Sequence, residues 1–161
     1  MTTTVDNMQD VLDSRDVIAR ILELESERDA LQDDVRESAE LAQEIADDEG
    51  QEQATKDSHN EAHAQAVAVL DEWVSDNGAE LAALLALQEE CEGCCEDWRY
   101  GASLIRDSYF KEYAQELAED IGAINEDATW PNTCIDWKQA ARELQMDYTR
   151  VDFDGVAYWI R

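Results

Sequence analysis

The sequence predicts a mainly α protein: a long N-terminal helical hairpin or coiled coil, followed by a small α+β domain that ends in a β-hairpin. Three observations carry this reading. From Ser14 to Glu49 the chain holds neither proline nor glycine. Along that stretch Val17, Ile21, Leu24, Arg28, Leu31, Val35, Ser38, Ala42 and Ile45 follow four-three spacing, the seam of paired helices. At the other end, Asp154-Gly155 sits between two runs of alternating residues, a pattern that specifies a tight hairpin. The expected organisation is a flexible N-terminus over 1–12, a coiled-coil-like helical arm over 13–76, and an α+β domain over 77–161 with its hairpin at 148–160.

The elements follow in chain order. Asp13 or Ser14 is placed to cap the first helix, with Asp16 near the positive end of its dipole. Arg28 and Ser38 interrupt the seam and are candidates for fixing register or partner choice. Gly50 predicts a break. A second helical run over about Glu61 to Val74 places Ala62, Ala66, Val69, Leu70 and Trp73 on one side, as an antiparallel partner for the first helix would need. Asp76-Asn77-Gly78 reads as a stop and restart, and Ala79 to Cys91, apolar over much of its circumference, as a buried helix. A further helix is expected over Leu104 to Ile121, a turn at Trp130-Pro131-Asn132, and a short helix to Leu144 capped by Thr133 or Asp136. In the terminal hairpin, Phe153 faces Val156, Val151 faces Tyr158 and Thr149 faces Ile160. A lone hairpin is marginal in water, so this one must pack on the preceding helices.

Charge bounds the function. Forty Asp and Glu against 12 Lys and Arg leave a net charge of −28. A duplex carries one charge per roughly 1.7 Å of axis, so such a total corresponds to about 48 Å of DNA. This chain does not bind nucleic acid through its own surface, but it suits a groove built to hold nucleic acid. Hydrophobic residues make up 44% of the chain, with five Trp and five Tyr, enough for a packed core rather than an acidic tail. No apolar run reaches about 18 residues, and Met1 to Asp10 has neither a basic region nor an apolar one, so a cytoplasmic protein without membrane contact is expected.

On the first helix, Asp33, Glu37, Glu40, Glu44 and Asp47 form a stripe opposite the seam, and Arg36, four residues before Glu40, is the one Lys or Arg at that spacing. Asp48 and Glu49 continue it. Further phosphate-mimicking candidates are Glu89, Glu90, Glu92, Glu96 and Asp97, then Glu112, Glu116, Glu119 and Asp120. Like charges one turn apart cost about 0.2–0.5 kcal/mol per pair, so the stripe opposes the stability of its own helix.

Little else points to chemistry. Cys91, Cys94 and Cys95 form a C-x-x-C-C cluster with Cys134 distant; the readings are apolar filler at a helix end, a zinc site completed by Cys134 or a histidine, or a redox pair. His59 and His63 share a helix face but lack the H-E-x-x-H pattern. With no phosphate-binding glycine loop, nucleophile elbow or basic patch, the chain is not expected to be an enzyme or to need a cofactor.

Three stretches, Leu104 to Asp120 (LIRDSYFKEYAQELAED), Ile135 to Leu144 (IDWKQAAREL) and Tyr148 to Arg161 (YTRVDFDGVAYWIR), together resemble the ArdA-like antirestriction proteins of phages and plasmids. The resemblance implies a DNA-mimicking inhibitor that occupies the DNA path of a host defence complex. The helical N-terminal half departs from the ArdA body, so the target stays open between a restriction-modification complex and a CRISPR effector, both of which hold nucleic acid in a basic cleft. A homodimer through the Val17 to Ile45 seam is a further expectation. Competing readings are a coiled-coil scaffold with a solubilising acidic surface, and salt adaptation, which suits the low lysine count (Lys56, Lys111, Lys138).

Overall fold

The computed structural model describes residues 5–125, 127 and 129–161. Its elements are β1 (Val11–Asp13), α1 (Ser14–Asp47), α2 (Gln53–Glu92), α3 (Trp98–Gly101), β2 (Ser103–Arg106), α4 (Phe110–Asp120), α5 (Trp137–Leu144), β3 (Thr149–Phe153) and β4 (Val156–Ile160). The chain is mainly helical, with two long N-terminal helices followed by short helices and a four-stranded antiparallel sheet that includes the C-terminal hairpin. It divides into two compact units, one of residues 21–82 and one of residues 1–20 with 83–161.

The first unit is an antiparallel helical hairpin. Three hydrogen bonds set its register: Trp73 Nε1 to Glu27 Oε2 at 3.0 Å, His63 Nδ1 with Ser38 Oγ at 3.1 Å, and Lys56 Nζ to the Ala46 carbonyl at 2.9 Å. The residue numbers of each pair add to about 101, as antiparallel pairing requires. Seam residues Ile21, Leu24 and Ala42 are buried, and Leu31, Val35, Ser38 and Ile45 half-buried. The Ser38 hydroxyl donates to the Val35 carbonyl at 2.9 Å, so its oxygen accepts from His63 Nδ1–H. The polar break in the seam is thus a specific interhelical pair. At the turn, Asp48 Oδ1 accepts from the Gly50 amide, and Lys56 satisfies a carbonyl in the last turn of α1.

Two expectations about α2 are corrected. It begins at Gln53 rather than near Glu61, and it runs through Asp76-Asn77-Gly78 without a break. The reason lies in the phase of its inward positions. His59, His63, Ala66, Leu70, Trp73, Asn77, Glu80, Leu84, Leu87 and Cys91 keep four-three spacing across Gly78. A helical glycine costs about 1 kcal/mol relative to alanine, which buried residues such as Leu81 and Leu84 on the same helix readily offset.

The second unit is built on the sheet, in the order β1-β2-β4-β3. The hairpin register is as expected, with Thr149 opposite Ile160, Val151 opposite Tyr158 and Phe153 opposite Val156. Asp154 and Gly155 take φ of 49° and 79°, the positive values a primed two-residue turn needs. One face of the sheet buries Leu12, Leu104, Val151, Phe153, Tyr158 and Ile160. On the other, Ile105 packs with Phe110, Ala114 and Ala141, bordered by Tyr113, Tyr148 and Trp159. Phe110 makes edge-on contacts with all three of those rings, and the Tyr113 and Tyr148 hydroxyls lie 2.8 Å apart. Asp136, not Thr133, caps α5, accepting from the Lys138 and Gln139 amides.

Leu104 to Arg106, expected as the start of a helix, is the interior strand β2 between β1 and β4. Leu104 and Ile105 are both buried because both faces of the sheet are covered, which removes the alternation that marks a half-exposed strand. The helix starts only at Phe110. Part of the segment expected to be flexible is likewise structured. Val11 and Leu12 pair with β2, Tyr158 Oη donates to the Gln9 carbonyl at 2.7 Å, Asn7 Nδ2 donates to the Asp154 carbonyl, and Val5 is buried.

Candidate partner-binding surface

The surface is built from carboxylates, and each is held differently. On α1, Asp33, Glu37, Glu40, Glu44 and Asp47 are all exposed, with α2 taking the opposite face of the helix. The two ends of the stripe are engaged. Arg36 reaches Asp33 at 2.8 Å from three residues away, and Gln43 Nε2 donates to Asp47 Oδ1 at 2.9 Å. The stripe therefore does carry a compensating base, Arg36, which pairs with Asp33 at the shorter of the two helical spacings. Between those ends, Glu37, Glu40 and Glu44 have no hydrogen bond or ion pair among the described residues. With a rise of about 1.5 Å per residue they span about 10 Å of axis. Asp34 is also exposed and unpaired. The spacing rule passed over it because it lies about 100° around the helix from Asp33.

Charge density singles out this unit. Residues 21–82 hold 19 acidic and 3 basic residues, a net −16, in a hairpin whose α1 portion is about 40 Å long. That is one charge per roughly 2.5 Å, between the 3.4 Å of one DNA strand and the 1.7 Å of a duplex. The other unit carries −12 over more residues.

The remaining candidates are more occupied. Asp48 accepts from the Gly50 amide and from Gln51 Nε2, and these bonds hold its carboxyl below the ordinary value; its first task is the turn. Glu49 is exposed in the same turn. In the sheet-containing unit, Glu89, Glu90 and Glu92 are exposed at the end of α2, and Glu96 and Asp97 just after it. Glu90 Oε2 accepts from the Asp152 amide at 3.1 Å, which blocks part of the outer edge of β3. Glu92 lies 3.7 Å from Arg99 Nε. On α4, Glu112 has Lys111 at 3.4 Å, and Glu116 accepts from the Tyr109 hydroxyl at 2.6 Å, a bond that pushes the Tyr109 pKa up to about 12. Glu119 is half-buried and Asp120 exposed. The predicted residues thus fall into an open stripe on the hairpin and separate groups on the other unit.

Of the four cysteines, Cys91 and Cys95 are buried and Cys94 and Cys134 exposed. Cys91 is fully buried, and that burial pushes its thiol up to about 12, keeping it protonated. Cys95 Sγ donates to the Arg161 carbonyl and Cys94 Sγ to that of Cys91, while Cys134 is exposed. Among the described residues no three His, Cys, Asp or Glu are grouped to hold a metal ion. His59 and His63 lie half-buried on the inner side of α2. Among the described residues no helix is long and apolar enough to cross a membrane. Comparison with family models, curated proteins and solved structures found no match to this chain.

Proposed function

We propose that this chain is an acidic DNA mimic from a phage or mobile element, which blocks the DNA-binding site of a host defence complex by stoichiometric binding and without catalysis. One observation carries the reading: Glu37, Glu40 and Glu44 stand exposed and without an ion pair among the described residues, on a helix whose seam packs on its own partner helix. An ordinary hairpin gains nothing from that arrangement, because each like-charge pair works against the helix. A basic cleft supplies what it lacks. Long-range attraction speeds encounter, and fixed carboxylates take the places of phosphates against Lys and Arg.

The partner on this reading is a restriction-modification complex or a CRISPR effector in the host cytoplasm, and the resemblance to ArdA-like antirestriction proteins in the C-terminal third points the same way. Neither nucleic acid nor membrane is a direct ligand. The test is binding to a purified restriction or CRISPR complex in competition with DNA, at rising salt. The mimic excludes DNA, and its affinity falls steeply with ionic strength. Binding that ignores salt and tolerates DNA on the same complex overturns the proposal.

A further inference from the structure

We draw no further inference here: the strongest candidate, the cleft after the C-terminal end of α2 lined by Glu92, Cys95, Glu96, Trp98 and Arg99, carries nothing, because Arg99 already lies 3.7 Å from Glu92 and nothing in the structure shows that the buried indole nitrogen of Trp98 faces the cleft or what would fill it.

Discussion

Replacing Glu37, Glu40 and Glu44 together by glutamine separates imitation of DNA from mere solubility, because it moves stability and affinity in opposite directions. The substitutions keep side-chain length and remove five like-charge pairs within α1, Asp33 with Glu37, Asp34 with Glu37, Glu37 with Glu40, Glu40 with Glu44 and Glu44 with Asp47, against one attractive spacing, Arg36 with Glu40, a net of four. At about 0.2–0.5 kcal/mol each, their loss stabilises the hairpin by about 1–2 kcal/mol at low salt. The lower end applies here, since Arg36 already offsets Asp33 and Gln43 holds Asp47. Affinity moves the other way. Three screened contacts to a basic cleft, at about 0.5–1 kcal/mol each, amount to roughly a ten- to hundred-fold weaker Kd. Urea denaturation followed by circular dichroism reads the first quantity, and competition against DNA for the purified complex reads the second. A triple variant that gains stability yet inhibits as well as the parent refutes the mimic and leaves the scaffold. One that unfolds more easily refutes the account of the helix itself.

Three further outcomes test the scaffold. Gly78→Ala is expected to stabilise the protein by about 1 kcal/mol in urea denaturation, since the added methyl meets only Val74 Cγ1, at 3.4 Å, and α2 runs straight through; a loss of stability contradicts a continuous helix. Ser14→Ala is expected to cost about 1–3 kcal/mol, because the fully buried Ser14 Oγ accepts from the Ala102 amide at 2.7 Å and its removal strands that donor. A cost within error, measured the same way, shows that the amide finds another partner. For Asp13, hydrogen bonding from the Arg15 side chain comes first in holding its carboxyl below the ordinary value, against a partial offset from burial. The folded state therefore favours the ionised form. That contribution is fully present above about pH 4, and is lost as the pH falls through the lowered value. An acid titration of stability should be shallower in Asp13→Asn than in the parent, and identical curves count against the link.

What could be read from the chain was local. The α1 seam, the Asp154-Gly155 turn with its register and the Asp136 cap each need only neighbours within a few residues, so spacing and turn chemistry suffice. The acidic stripe was legible for the same reason, since helical periodicity alone places Glu37, Glu40 and Glu44 on one face. The helix through Gly78 was obscured by a local stop signal that a longer pattern overrides. The four-three phase from His59 to Cys91 runs unbroken through Asp76-Asn77-Gly78 and outweighs that signal.

The rest depended on contacts between residues far apart in sequence. Leu104-Ile105-Arg106 is a strand only because β1 and β4, from opposite ends of the chain, flank it and both faces are covered. Val11 and Leu12 are ordered by that same sheet, and nothing in their own neighbourhood demands it. Burial on both sides erases the periodicity from which strands are read, and pairing across more than ninety residues leaves no local trace. The sequence by itself determined the long first helix, the terminal hairpin and the total charge, because propensity, spacing and ionisation are properties of short stretches. Only the tertiary structure decided how the carboxylates of the sheet-containing unit are engaged, because Arg99 at Glu92 and the β3 amide at Glu90 are set by packing. It also set the register in which α2 packs on the seam of α1, leaving Glu37, Glu40 and Glu44 on the opposite face to solvent.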